Sequence, residues 1–99
     1  VDLRKESPTY GQFEKILLSS DNKKQFFVPR GFAHGFVVLS ELAIFSYKVD
    51  NVYAPTHDSG IQWNDTELNI DWGIDESLIQ LSEKDKSQPL FKGFKSLFI

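Results

Sequence analysis

Cysteine and methionine are both absent from this chain of 99 residues. The lack of cysteine excludes a disulfide framework and thiolate chemistry. No apolar run approaches the roughly 18 residues that cross a membrane, so we expect neither a membrane span nor a signal peptide, and we expect a soluble, cytoplasmic protein. The eleven Lys and Arg residues are scattered among fourteen acidic ones at a net charge of −3. This distribution leaves no basic stripe for a nucleic acid.

The sequence signals of several common catalytic sites are also missing. The two histidines, His34 and His57, lie far apart without ligand spacing around either, so we expect no metal site. His57 lies in a polar loop, and we place it on the surface. A nucleophilic triad needs a cysteine or a glycine-framed serine, and a phosphate loop needs a glycine-rich run. Neither occurs in this sequence.

Short apolar or alternating runs, separated by turn residues, make up most of the chain. Their two-residue alternation predicts strands, and a short helix interrupted at Pro89 and Gly93 is predicted within residues 84–95. The predicted strands cover residues 1–4, 13–18, 25–28, 36–39, 42–49 and 61–63. This pattern favours a single all-β domain over residues 1–99, a β-sandwich or jelly roll, with an OB-like barrel as the second option.

Both ends of the sequence indicate that this domain packs against further polypeptide, either from the same chain or from a second subunit. Residues 1–4 already alternate like a strand, so we expect that an upstream portion has been lost and that the fold is incomplete at its N-terminus. A domain of this size is only marginally stable alone. Because apolar residues continue to Ile99, we also expect an oligomer.

Segment 28–36, VPRGFAHGF, holds the strongest candidate for a functional residue. Pro29 fixes its own φ, and Gly31 and Gly35 allow tight backbone geometry on either side of His34. The segment therefore predicts His34 at the edge of a core, facing a pocket. A packed histidine bonded to a backbone carbonyl is the competing interpretation.

Two further side chains are candidates for proton transfer. Alternation along residues 42–49 puts Tyr47 on one face with Phe45 and Val49, so Tyr47 is either a core aromatic or a general acid. Asp85, in the segment LSEKD, is either a solvated turn residue or the carboxylate that orients an imidazole.

Two loop or edge positions stay open in the same way. Tyr53 is either a stacking platform or a loop aromatic. Asp2 and Arg4 are either an edge-strand pair or groups that point into the barrel.

Several segments, taken in their order, resemble the dTDP-4-dehydrorhamnose 3,5-epimerases. They are VDLR (1–4), SPTYG (7–11), VPRGFAHGF (28–36), YK (47–48), YAP (53–55), IQWND (61–65) and LSEKD (81–85). Each motif is short, but together they are specific and extend from Val1 to about Pro89. The resemblance implies a cupin-like jelly roll and a homodimer that exchanges strands between subunits, with no metal or cofactor.

The resemblance also implies the reaction and the roles of named residues. The reaction is a double epimerisation of a 4-keto-6-deoxy sugar nucleotide in dTDP-L-rhamnose biosynthesis. By position, Tyr47 matches the acid, Asp85 the carboxylate paired with the base, and His34 a second histidine that lines the sugar pocket. The substrate-binding residues implied by the resemblance are Tyr53 on the nucleotide side, Asp2 as a pocket carboxylate, and Lys48.

The family pattern and this chain differ in two respects. In the family, the catalytic histidine, a lysine and an arginine lie on strands before the point that corresponds to Val1, and Leu90–Ile99 matches no motif. We therefore expect residues 1–99 to be inactive by themselves. Two other functions stay open: a related sugar-nucleotide epimerase or ketoisomerase, and a non-catalytic β-sandwich that binds a carbohydrate or nucleotide through Tyr47, Tyr53 and Trp63.

Overall fold

The computed structural model of the protein describes residues 1–52, 54 and 58–98. Its helical elements are 3₁₀ turns at Glu76–Leu78 and Phe91–Gly93 and a short helix, α1, at Glu83–Lys86. Helix α1 begins after Ser82, whose hydroxyl accepts the backbone N–H of Asp85. In place of the single interrupted helix predicted within residues 84–95, the structure has two separate helical pieces, of which α1 begins one residue earlier, at Glu83, and the second includes Gly93. Among the described residues, no helix has the length and apolar character needed to cross a membrane.

Strand-type pairing in the described part of the chain consists of one antiparallel bridge, between Asp2 and Phe32. Residues 19–23, between the predicted strands 13–18 and 25–28, form a turn in which the N–H of Lys23 donates to the carbonyl of Ser19 at 3.0 Å. On the predicted strands beside it, large apolar side chains stay in solvent, and Phe27 is 84% exposed. Strands need partners for their backbone groups and for their apolar faces. Because the bridge between Asp2 and Phe32 is the only such pairing among the described residues, the jelly roll stays a prediction.

The core is small and lies between the N-terminal segment and the C-terminal third of the chain. Leu3, Leu68 and Phe91 are buried in it. Partly buried apolar residues pack around them, namely Val1, Ala33, Ile61, Ile70 and Phe94. Ala33 belongs to the segment 28–36, so this histidine-bearing segment rests directly on the core.

A single buried carboxylate, Asp65, fastens the C-terminal third to this core. Its Oδ1 accepts the backbone N–H groups of Glu67 and Leu68, and its Oδ2 accepts the N–H of Phe91 at 2.7 Å. Burial raises the pKa of Asp65, but these three N–H donors outweigh burial and hold its pKa below the usual value. The turn that begins at Asp65 is therefore held against Phe91 by an ionised side chain.

The C-terminal tail returns to the N-terminal segment. The buried hydroxyl of Ser96 donates to the carbonyl of Leu3, and the N–H of Lys5 donates to the carbonyl of Phe98 at 3.1 Å. These residues belong to the stretch 90–99, which matched no motif. The tail thus packs along the same segment that supports the histidine.

Candidate functional site

The segment 31–34 forms a tight corner that is bonded to the start of the chain. Gly31 has φ +90°, in the left-handed region that favours glycine. Its carbonyl accepts the N–H of Leu3 at 2.9 Å, and the N–H of Ala33 donates to the carbonyl of Val1 at 2.9 Å. The backbone nitrogen of Val1 donates to the carbonyl of Ala33 at 2.9 Å. We call residues 31–34 the histidine corner.

A network of polar side chains beside the histidine corner holds Asp2, which is buried at 1% exposure, whereas the side chain of Arg4 in the same network is 41% exposed. Arg4 binds it with two donors, Nε to Oδ1 at 3.0 Å and Nη2 to Oδ2 at 2.9 Å. The hydroxyls of Ser7 and Thr9 donate to the same Oδ2 at 2.5 and 2.6 Å. With the backbone N–H of Arg4, which donates to Oδ1 at 3.0 Å, Asp2 therefore accepts five hydrogen bonds within the chain, and its role toward a substrate stays a prediction.

This network predicts an acid-dependent stability. The side chain of Arg4, helped by Ser7 and Thr9, holds the pKa of Asp2 far below its usual value. Because the pKa is depressed in the folded state, the stabilisation is complete above the unfolded pKa of about 3.9 and is lost as the pH falls below it. We expect Asp2→Asn to flatten the dependence of the free energy of unfolding on pH below about pH 4. Urea unfolding at a series of pH values measures this slope, and a slope equal to that of the unmodified protein would contradict the prediction.

Tyr47 ends a row of three aromatic rings. The rings of Phe36 and Phe45 stack with centroids 4.2 Å apart, and those of Phe45 and Tyr47 lie 5.1 Å apart. The contact between Phe45 and Tyr47 confirms the predicted shared face of residues 42–49. Tyr47 is 69% exposed, so in this structure it is not a core aromatic.

His34 lies two residues before Phe36, the first ring of the aromatic row. Stacking places Phe36 opposite Phe45 across the bend at residues 40–41. His34 is exposed and directly follows Ala33, which packs against the core, but it is not among the residues that line the cleft beside Tyr47, so its predicted place facing a pocket stays a prediction. Beside it, a methyl group on Gly35 would lie 3.4 Å from the ring of Trp72.

A cleft of about 360 Å³ lies against Tyr47. We call it the Tyr47 cleft; its walls are Tyr47, Val49, Asp50, Asn51, Val52, Ala54 and Asp58. The ion pair of Arg30 with Asp50, at 2.8 Å, joins the start of the histidine corner to this rim. Both side chains of the pair are more than 70% exposed. The pair shows that Arg30, which precedes the histidine corner, contacts a residue of the cleft wall. Because an exposed ion pair contributes little, neither side chain is assigned a role in the chemistry.

Asp85 is connected to the Tyr47 cleft through the adjacent residue, Lys84. It lies on helix α1, exposed, and the ammonium of Lys84 bonds to Asp58 on the wall of the Tyr47 cleft. One end of α1 is thereby attached to the cleft wall. No sequence pattern predicted the ion pair of Lys84 with Asp58. The only indication in the sequence is that Lys84 is next to the candidate residue Asp85.

The remaining candidates are placed as follows. Lys48 is exposed and follows Tyr47 on the opposite face of the segment. Tyr53 and His57 lie outside the described residues. Within the ranges that the structure describes, no group of three His, Asp or Glu side chains comes together as metal ligands do.

Three candidate residues for proton transfer or substrate binding are exposed at the surface. The phenol of Tyr47 lies on a cleft wall, the imidazole of His34 follows the core residue Ala33, and the carboxylate of Asp85 lies on a helix that is bonded to the cleft wall through Lys84. A phenol on a cleft wall can deliver a proton to a bound ligand. The pairing of Asp85 with an imidazole and the roles of Tyr47, His34 and Lys48 stay predictions.

Comparison with known proteins gives one consistent family. The family model described as dTDP-4-dehydrorhamnose 3,5-epimerase matches residues 1–93. Curated relatives of that name include one from Pseudomonas aeruginosa, 53% identical over 92% of this chain and 50% of the relative, and one from Salmonella typhimurium, 51% identical over 91% and 49%. The crystal structure of the enzyme of that name from Elizabethkingia anophelis aligns with a TM-score of 0.90 and 55% identity, over 93% of this chain and 50% of that chain. The chain thus spans about half the length of the relatives it matches.

Proposed function

The chain belongs to the dTDP-4-dehydrorhamnose 3,5-epimerase family, and on that premise we propose that it supplies the acid side of a 3,5-epimerase site acting on a dTDP-4-keto-6-deoxy sugar. The observation that carries the proposal is the position of Tyr47. Its phenol lies on the wall of a cleft, at the end of the aromatic row formed with Phe36 and Phe45.

The chemistry follows from the ketone at C4 of the sugar. The carbonyl acidifies the C–H bonds at C3 and C5, because the electron pair left when a proton departs is delocalised onto oxygen as an enolate. A histidine base takes the proton on one face, and the phenol of Tyr47 gives its proton to the same carbon on the other face. The configuration at that carbon inverts. A phenol suits this step, because the enolate that it protonates is strongly basic.

The other candidates take supporting roles in the proposal. His34 lines the sugar pocket, Asp85 orients the base, and Lys48, Asp2 and Tyr53 bind substrate. The base is proposed to come from outside these 99 residues, as the family pattern implies. No cofactor enters the proposed steps, since proton transfer alone inverts each carbon.

We also propose the architecture and the assembly that the family implies: residues 1–99 form part of one cupin-like jelly roll, and two copies associate with exchange of strands. The exposed apolar residues support this, because Phe27, Leu42, Ile44 and Val52 are each at least 84% exposed. Apolar surface of this extent is typical of interfaces.

The test is exchange of solvent deuterium. The full-length gene product is incubated with dTDP-4-keto-6-deoxyglucose in deuterated water, and NMR is used to follow the protons at C3 and C5. We expect deuterium at both carbons and inversion at both. Residues 1–99 alone are expected to exchange no faster than the enzyme-free solution.

Each alternative has its own signature in this experiment. Inversion at one carbon would indicate a related epimerase, and migration of the ketone a ketoisomerase. Saturable binding without any exchange would indicate the non-catalytic binding module. Any of these three results would overturn the proposed double epimerisation.

A further inference from the structure

We propose that Arg4 is a positioning residue for His34: held by the buried Asp2 carboxylate, its side chain packs on Phe32 and Gly31 and fixes the backbone from which His34 projects. The proposal rests on the proposed function only where it assigns His34 to the sugar pocket. The packing at the histidine corner is independent of the reaction.

The guanidinium of Arg4 has two different partners at once. Its edge makes the two bonds to Asp2 at 3.0 and 2.9 Å, and its central carbon lies 4.8 Å from the centroid of the Phe32 ring. A planar guanidinium can bind a carboxylate through its edge while its face packs on an aromatic ring. Lysine keeps the charge but has no such fork, so it cannot satisfy both partners in this geometry.

The stem of Arg4 packs against Gly31 from one side. A methyl group on Gly31 would lie 2.6 Å from Cγ and 3.1 Å from Cδ of Arg4, and 3.7 Å from Cβ of Phe98. Because the guanidinium is fixed on Asp2, the stem cannot swing away. Gly31 is thus enclosed between Arg4 and the C-terminal tail, in a left-handed conformation that few other residues adopt.

The histidine corner transmits this packing to His34 through a short, rigid stretch. Asp2 and Phe32 form the antiparallel bridge, and Ala33 both donates to and accepts from Val1. Every residue from 31 to 33 is therefore held by the segment that carries Arg4. His34 follows directly, so a shift of Phe32 or Gly31 displaces the His34 backbone with it.

The experiment compares one substitution at two arginines. Arg4→Lys and Arg30→Lys are made in the full-length gene product, with histidine rings labelled with ¹³C and the His34 signal assigned through His34→Gln. We expect Arg4→Lys to lower kcat about tenfold with KM changed less than about twofold, and to move the ring and backbone resonances of His34. Arg30→Lys is the matched control, because Arg30 and its partner Asp50 are both exposed; we expect wild-type kinetics and wild-type His34 resonances.

A second variant, Phe32→Leu, tests the proposal if the Arg4→Lys protein does not fold. Phe32→Leu keeps the pair of Arg4 with Asp2 but removes the ring beneath the guanidinium, and we expect it to move the His34 resonances in the same way. Wild-type His34 resonances in a folded Arg4→Lys or Phe32→Leu protein overturn the proposal. If the unmodified protein does not epimerise the sugar, the proposed function fails, whereas the His34 resonances still decide the positioning role.

Discussion

Replacing Tyr47 by phenylalanine is expected to lower kcat by roughly 10² to 10⁴-fold while KM changes little. The substitution removes only the phenolic oxygen, so the ring keeps its 5.1 Å contact with Phe45 and its place on the cleft wall. What is lost is the proton that the proposed mechanism delivers to the enolate. Loss confined to kcat is the expected result for a group that acts in the transition state.

Deuterium exchange separates loss of the acid from loss of the whole site. Without the phenol, the base can still remove a proton and return a deuteron on the same face. We therefore expect the Tyr47→Phe protein to incorporate deuterium with retained configuration and to form almost no inverted product.

The matched control is Tyr10→Phe. The Tyr10 ring also packs on an aromatic residue, Phe91 at 5.3 Å, but it does not line the Tyr47 cleft. Its kcat and KM are expected to equal those of the unmodified protein. A Tyr47→Phe protein that inverts the sugar at the wild-type rate would rule out Tyr47 as the acid.

Removing the Asp65 carboxylate is expected to lower the free energy of unfolding by more than the other substitutions proposed for this protein. Asp65→Ala leaves the N–H groups of Glu67, Leu68 and Phe91 without their acceptor. Unsatisfied donors in a buried region and the loss of bonds to a charged group together cost about 3 kcal/mol. Urea unfolding of the full-length gene product measures the change in the free energy of unfolding. The slope of this free energy against urea concentration is compared between the variants.

Asp75→Ala is the control for Asp65→Ala. Asp75 is also an aspartate that caps a helical turn, accepting the N–H of Ser77 at 2.9 Å, but it is exposed and joins no distant segment. We expect a clearly smaller loss of stability there. Equal losses for the two variants would show that the link from Asp65 to Phe91 adds nothing beyond a local cap.

Local features of the fold could be predicted because they depend on neighbouring residues. The turn at residues 19–23 follows from its turn-forming residues. The shared face of Phe45 and Tyr47 follows from two-residue alternation. The short helix at Glu83–Lys86 follows Ser82, a residue type that caps helices well.

The proposed site could be predicted in its residue types but only partly in its geometry. His34, Tyr47 and Asp85 were identified from glycine flanks, alternation and the order of short motifs. The bond from Lys84 to Asp58, which attaches α1 to the wall of the Tyr47 cleft, could not be predicted in this way. It joins residues that are distant in sequence, and neither residue has a local pattern that selects its partner.

The amino-acid sequence by itself determined the family, the order of the motifs and the local turns and caps, since each of these is written in adjacent or regularly spaced residues. Only the tertiary structure decided that Asp2 is buried in a network with Arg4, Ser7 and Thr9. It also decided that Ser96 bonds to Leu3 beneath the histidine corner. The physical reason is that a charge or a hydroxyl is buried only where distant segments bring it bonding partners, and those partners meet only when the chain has folded.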